Sequence, residues 1–308
     1  MTVRSAALIG AGAVGAYFIW GTAGVPDIDF CLVAEGERAE RLQRDGVLIN
    51  GETYHLPVKS PEEAKDCDLI IVAVKYSGLE SAISEIRRMA GEDTIVLSVM
   101  NGVDSEDLIA AEIGEARVMH AFMRIASRRA DGRIAFDPEV TAGVFFGEKD
   151  RNNETDRVAA LCEFFGKTNV KFHVCEDIIL KQWEKYQTNI CYNLPQAVLG
   201  TGYGSYFDSE HVEYIRAALD RELVAVAHAE GIALQPLQLK YQGYQKSARY
   251  STLQDLDAKR HTEIDMFLGV LIEKAQSHGI EVPASRLIFH EIKALEEKND
   301  GKFDYDGE

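Results

Sequence analysis

Basic residues are scarce in this 308-residue chain, with 33 lysines and arginines against 50 aspartates and glutamates and a net charge of −17. Nucleic acid and anionic membrane surfaces are held by basic patches, so neither is expected as a partner. Cysteine is scarce too. The five present (Cys31, Cys67, Cys162, Cys175 and Cys191) are odd in number and form no C-x-x-C pair. They read as reduced core thiols, which excludes a disulfide framework and a thiolate metal site. His228, His261 and His278 are scattered without ligand spacing, so no metal is expected. No apolar run reaches the length of a membrane span, and there is no internal repeat or low-complexity tract. The N-terminus enters a strand almost at once without a signal-peptide pattern, which makes the cytoplasm the expected compartment. What remains is an ordinary globular composition, 46% hydrophobic, in a chain long enough for two domains with real cores.

The first thing present is a glycine-rich turn. Ser5 to Ile9 is a short apolar run that ends in Gly10-Ala11-Gly12-Ala13-Val14-Gly15, and Ala16 to Trp20 can continue as a buried helix. This is G-x-G-x-x-G between a strand and a helix. The first glycine permits the tight turn, the second lets backbone approach a pyrophosphate, and the third lets helix pack on strand. The free N–H groups of the helix then face the phosphates. Asp29 to Ala34 reads as the next strand and ends at Glu35, 20 residues after Gly15. A dinucleotide-binding fold places the residue that meets the adenine ribose at about that distance.

Val47 to Tyr54 has the pattern of a hairpin turning at Asn50-Gly51. Leu69 to Val74 and Thr94 to Met100 are continuous apolar runs, as parallel strands buried on both faces are. They end at Lys75 and at Asn101-Gly102, and ligands of open α/β sheets bind at the carboxyl ends of strands. Val118–Ile125, Arg133–Phe136 and Val140–Phe146 are expected to complete the sheet, with Arg128, Arg129 and Arg133 as surface charges. Asp150–Lys167 suggests a helix and Val170–Val174 a last strand.

From Asp177 onward the periodicity is helical, over roughly Ile178–Leu194, His211–Glu230, Pro236–Arg249, Arg260–His278 and Ala284–Glu297. Gly231 and Gly279 sit where helix-terminating glycines do. Gly200–Gly204 reads as a flexible connector, and residues 298–308 as a disordered tail. This switch predicts a dinucleotide-binding domain over residues 1–174 and a helical substrate domain over 175–297, with the active site in the cleft between them. Within the first of these helices Lys185, Asn189 and Asn193 stand at i, i+4 and i+8, which stacks an ammonium and two carboxamides on one face. Trp183, Tyr186, Ile190 and Leu194 form an apolar stripe on much of the rest. Pro195 is expected to end or kink the helix and to bias Leu194 away from helical geometry. Asparagine is a poor helix former with no reason to recur at this spacing, so a lysine held among amides reads as a proton donor to a carbonyl. Ser251 is expected in a non-helical turn. Glu263 lies early in a helix, where spacing alone favours a first-turn acid placed for the helix dipole.

These blocks together resemble the ketopantoate reductase (2-dehydropantoate 2-reductase) family from Val3 to about Leu295. The resemblance rests on the glycine loop, Val74-Lys75, Asn101-Gly102, Trp183-x-Lys185-x-x-x-Asn189-x-x-x-Asn193-x-Pro195, and Ser251-x-Leu253-Gln254-Asp255. It extends through the runs His261–Asp265 and Ser277–Pro283. It implies an α/β N-terminal Rossmann domain with a parallel sheet, then an all-α domain like the C-terminal domain of 6-phosphogluconate dehydrogenase. It implies Lys185 as general acid to the ketone oxygen, with Asn189, Asn193 and Ser251 holding a 2-oxo acid. Glu263 would bind the substrate hydroxyl and orient Lys185. Asn101 would position substrate near the nicotinamide ribose, and Lys75 would sit at the cofactor–substrate junction. The alternatives are a reductase of another 2-oxo acid or imine on the same scaffold, and a non-catalytic dinucleotide sensor. The joint presence of Lys185, Asn189 and Glu263 counts against the sensor, which needs no proton donor. A homodimer is compatible with the apolar helices of the second domain.

At one position the sequence leaves the family pattern. Where the family carries an arginine suited to the 2′-phosphate of NADP, this chain has Ala34-Glu35-Gly36. A carboxylate there accepts from a ribose 2′-hydroxyl and repels a 2′-phosphate. The family implies NADP, whereas Glu35 leans to NAD. Arg38 and Arg41 on the following helix are the counter-argument, diluted by Glu37 and Glu40.

Overall fold

The computed structural model describes residues 1–130, 132–240, 243 and 245–305. The chain forms two compact units, Met1–Ile179 and Leu180–Glu308. The strands of the first unit are β1 (Ser5–Ile9), β2 (Asp29–Val33), β3 (Val47–Ile49), β4 (Glu52–Tyr54), β5 (Val58–Lys59), β6 (Leu69–Val72), β7 (Ile95–Ser98), β8 (Val118–Arg124), β9 (Ser127–Ala130), β10 (Arg133–Phe136), β11 (Gly143–Gly147) and β12 (Phe172–Val174). Its helices are α1 (Gly15–Thr22), α2 (Gly36–Asp45), α3 (Leu79–Met89), α4 (Ser105–Ile113) and α5 (Asp156–Gly166).

The main sheet runs in the order β12-β11-β8-β7-β6-β1-β2-β5. Its neighbours are parallel except β8 and β11, which are antiparallel. The sheet is therefore mostly parallel, with helices on both faces, as expected for a Rossmann domain. The alternation of side chains shows how the two faces are filled. Ala6, Leu8, Leu69 and Ile71 enter one apolar cluster with α1 and α5. Ala7, Ile9, Ile70 and Val72 enter another with α3. Cys31 and Cys67 lie in this second cluster, and burial pushes their thiols up to about 11 and about 12, so both stay protonated.

Arg133–Phe136 does not complete that sheet. It joins β4, β3 and β9 in a separate four-stranded sheet, in the order β4-β3-β10-β9. The Asn50-Gly51 turn is as expected, with both residues at positive φ. The Asn50 side chain also accepts from the Phe136 amide at 2.9 Å, tying the hairpin to β10. Phe136 in turn packs edge-on against Tyr17 and Trp20 of α1, with ring centroids 5.4 and 5.8 Å apart, so this small sheet supports the helix behind the glycine loop. Arg128 and Arg133 are exposed as expected, and the side chain of Arg129 lies outside the described residues. Val140 is 75% exposed in a turn, and its strand starts only at Gly143. Residues 150–155 form a turn before α5, closed by Thr155, whose hydroxyl accepts from the Val158 amide.

The second unit is helical: α6 (Ile178–Thr188, which spans the boundary), α7 (Leu194–Leu199), α8 (Ser205–Asp208), α9 (Glu210–Ala229), α10 (Ser251–Asp257), α11 (Val270–Ser277) and α12 (Pro283–Asn299). The helix expected over Pro236–Arg249 is absent among the described residues, with Tyr241, Gln242 and Tyr244 lying outside them. The segment is anchored by other groups. Asp220 accepts from the Leu237 amide at 2.8 Å, and Gln196 donates to the Ala248 carbonyl at 3.0 Å. Gly200–Gly204 is no loose connector. Tyr203 and Gly204 donate to the carbonyls of Ala248 and Lys246, and a Cβ on Gly202 would stand 2.4 Å from the Lys246 carbonyl oxygen. Residues 300–305 follow α12 as a turn and a short extension, and the rest of the tail expected to be disordered, 306–308, lies outside the described residues. No described helix is long and apolar enough to cross a membrane.

Candidate functional site

In the first unit the glycine loop divides its labour among its glycines. Gly10 adopts φ +106°, and a Cβ there would meet the Ala73 carbonyl oxygen at 2.5 Å. A Cβ on Gly15 would stand 1.9 Å from the Gly10 carbonyl oxygen, so only glycine lets α1 start this close to β1. A Cβ on Gly12 would meet nothing within 4 Å. The middle glycine thus borders open space beside the start of α1, whose first turn carries no acidic residue. Missing bulk at a helix N-terminus with no acidic residue in its first turn fits a pyrophosphate.

Beyond β2, Glu35 is the N-cap residue of α2 in extended backbone, and its side chain makes no cap bond. Its carboxylate is instead gripped by Arg88 in the last turn of α3, Nη1 donating to Oε2 at 2.8 Å and Nη2 to Oε1 at 2.9 Å. The Arg88 guanidinium holds the Glu35 carboxyl below the usual carboxylate range. Arg88 Nε also donates to Glu62 at 2.6 Å. Fifty-three residues separate Glu35 from Arg88, so no local pattern in the sequence points to this pair. At the next strand ends, Lys75 is exposed before a short 3₁₀ turn (Tyr76–Gly78), and Asn101 is half-buried after β7. The Tyr76 hydroxyl donates to Asp104 at 2.7 Å, which brings the turns carrying Lys75 and Asn101 together.

In the second unit the helix carrying Lys185 does not end at Pro195. It widens into a π turn over Asn189–Asn193 and runs on as α7 through Leu199. Leu194 keeps right-handed helical geometry, with φ −77° and ψ −45°. The physical reason is the proline itself. It has no N–H for the carbonyl four residues back and crowds that carbonyl, and an i→i+5 turn takes up both faults without breaking the helix. An unbroken α-helix would rotate side chains at i+4 spacing by about 40° per step, and the wider turn works against that drift between Asn189 and Asn193. Lys185 and Asn189 are half-buried and Asn193 is buried. Asn193 Nδ2 donates to Ser251 Oγ at 3.4 Å, which unites two residues 58 apart in the chain. Ser251 is not in a non-helical turn but opens α10. Its position is fixed by Gln196, which accepts from the Tyr250 amide at 2.6 Å.

A second π turn, Asp265–Gly269, packs against the first. The buried Tyr186 hydroxyl, next to Lys185, donates to the Phe267 carbonyl in it. Glu263 lies just ahead of this helix, which begins later than Arg260, and its carbonyl accepts from the Phe267 amide at 3.0 Å. The residue before it is pinned by buried Glu296 of α12, which accepts from the Thr262 amide at 2.6 Å and hydroxyl at 2.7 Å. Glu296→Ala is expected to cost about 1–3 kcal/mol, because it leaves a half-buried amide and hydroxyl without their acceptor. Glu296→Gln keeps one acceptor oxygen and should cost less. An unchanged urea midpoint in the alanine variant would show that the contact contributes nothing.

Comparisons with known proteins agree with this layout. The family model for ketopantoate reductase PanE/ApbA matches residues 6–147, and the model for its C-terminal part matches residues 177–296. The 2-dehydropantoate 2-reductase of Streptococcus pyogenes serotype M6 is 27% identical over 300 residues, covering 94% of this chain and 97% of that protein. The crystal structure of a PanE/ApbA family ketopantoate reductase from Ralstonia eutropha superposes with a TM-score of 0.78 at 24% identity, over 96% of this chain and 99% of the other. D-mandelate dehydrogenase, solved with NADH and anilino(oxo)acetate, has a TM-score of 0.79 at 19% identity over the same shares.

Proposed function

We propose that this chain, which belongs to the ketopantoate reductase family of nicotinamide-dependent oxidoreductases, reduces the ketone of 2-dehydropantoate to the alcohol of pantoate. The observation that carries the reading is the pairing of Asn193 with Ser251, because Asn193 lies on the continuous helix that bears Lys185 and Asn189. The first unit holds the dinucleotide through Gly10, Ala11, Gly12, Ala13, Val14 and Gly15, with Glu35 at the adenine ribose, Lys75 at the cofactor–substrate junction, and Asn101 toward the nicotinamide ribose. When bound, the cofactor supplies hydride to C2 of the substrate. Lys185 then gives its ammonium proton to the ketone oxygen as that oxygen gains negative charge, and takes a proton back from water. Asn189, Asn193 and Ser251 hold the 2-oxo acid. Glu263 accepts from the substrate hydroxyl and orients Lys185. Glu35 favours NADH, since its carboxylate suits a 2′-hydroxyl and repels a 2′-phosphate.

The test is nicotinamide absorbance with a panel of 2-oxo acids and both cofactors. 2-Dehydropantoate should give the highest kcat/KM. Pyruvate has no 4-hydroxyl, and a site built to bind a substrate hydroxyl rejects an analogue lacking it by on the order of 10⁴-fold. Comparable kcat/KM for the two acids would sink the assignment. An aryl 2-oxo acid belongs in the panel, and its winning would move the substrate while keeping the chemistry.

A further inference from the structure

Arg88 stands between two carboxylates. It binds Glu35 with two parallel hydrogen bonds and Glu62 with a third. All three side chains are solvent-exposed in part, at 37% for Arg88, 48% for Glu35 and 61% for Glu62. Exposed ion pairs add little to folding stability, so this one is not explained by the fold. Its geometry has a different consequence. A carboxylate can accept about four hydrogen bonds, and Arg88 takes two at Glu35, which fixes the group and leaves acceptor capacity for another donor. Glu35 stands two residues past the end of β2, and its side chain caps no helix.

We propose that Arg88 is a positioning residue for the cofactor, holding the Glu35 carboxylate as a fixed acceptor for the adenine-ribose 2′-hydroxyl. This rests on the reading of Glu35 as the ribose partner given above. The charges around the pair point the same way. Arg88 is fully engaged, so it cannot serve a 2′-phosphate without leaving Glu35 or Glu62. One guanidinium between two carboxylates leaves a net negative charge. A 2′-phosphate carrying close to two negative charges therefore meets a net negative charge in which Arg88 is already committed to Glu35 and Glu62.

The experiment is calorimetric titration of NADH, NADPH and 2′-deoxy-NADH into the full chain and into Arg88→Met and Arg88→Lys, with melting temperatures alongside. The native protein should bind NADH about tenfold more tightly than 2′-deoxy-NADH, the ratio expected from one hydrogen bond to a charged group. Arg88→Met should lose most of that ratio by weakening NADH alone, with its melting temperature unchanged. Arg88→Lys keeps the charge but not the two-pronged grip, and should lose most of the ratio as well. If either variant keeps the native ratio, Arg88 does not position Glu35, and the ribose reading of Glu35 stands. If the native protein fails to distinguish NADH from 2′-deoxy-NADH, the ribose reading itself falls and takes this inference with it.

Discussion

Lys185→Ala is expected to lower kcat by about 10²–10⁴-fold, the range for loss of a positioned general acid, while NADH binds as before. The two readouts separate because the glycine loop belongs to the other compact unit. Misfolding is a poor alternative explanation for such a loss. Alanine is the best helix former, and the neighbours of Lys185 anchor α6 by themselves. Tyr186 is bonded to the Phe267 carbonyl, and Gln187 donates to Asp220 at 2.7 Å and to the Gln235 carbonyl at 2.9 Å. Trp183 is buried on the same helix. Lys185→Arg should not restore the rate, because a guanidinium holds its proton too firmly to donate it. A near-native kcat in Lys185→Ala would remove Lys185 from the proton-donor role.

Which parts of this architecture were legible in the sequence follows from where their causes lie. β1, β6 and β7 are buried on both faces, so each is built on a run of apolar residues (Ala6–Ile9, Leu69–Val72 and Ile95–Leu97) and needs no partner to be recognised. The Asn50-Gly51 turn is legible because its positive φ angles demand those residue types. β9 is different. Ser127-Arg128-Arg129-Ala130 has a polar sequence, and it is a strand because β10 lies beside it. Residues 236–249 sit in a half of the chain whose periodicity is otherwise helical, yet Asp220, Gln196 and Tyr203 claim their backbone groups from elsewhere in the chain. The π turn at Asn189–Asn193 answers a strain that Pro195 announces, although the sequence signals only that the helix is disturbed and not how it recovers. The candidate site divides in the same way. The spacing of Lys185, Asn189 and Asn193 is local and visible, whereas the pairs Asn193–Ser251, Thr262–Glu296 and Glu35–Arg88 each join distant segments.

Gly12→Val and Gly15→Ala should fail in opposite ways. Nothing lies within 4 Å of a Cβ on Gly12, so the first carbon of a valine there meets no neighbour, and stability should stay within about 0.5 kcal/mol of the native value, as for surface substitutions. Its branched side chain would nonetheless fill the space through which backbone N–H groups reach a pyrophosphate. Two charge-assisted hydrogen bonds lost at about 1.5 kcal/mol each amount to roughly 100-fold or more in dinucleotide affinity. Gly15→Ala has the reverse order of causes. Its added methyl would stand 1.9 Å from the Gly10 carbonyl oxygen. That atom is backbone, so no rotamer change relieves the clash, and α1 or the loop must move. Overpacking of this kind costs about 1–3 kcal/mol and occasionally more, and binding should weaken because the loop has shifted. Urea unfolding and NADH titration on both variants test the pair together. Native affinity in Gly12→Val would mean that this loop does not approach the phosphates. Native stability in Gly15→Ala would mean that the start of α1 can yield, and that the third glycine is not there for close packing.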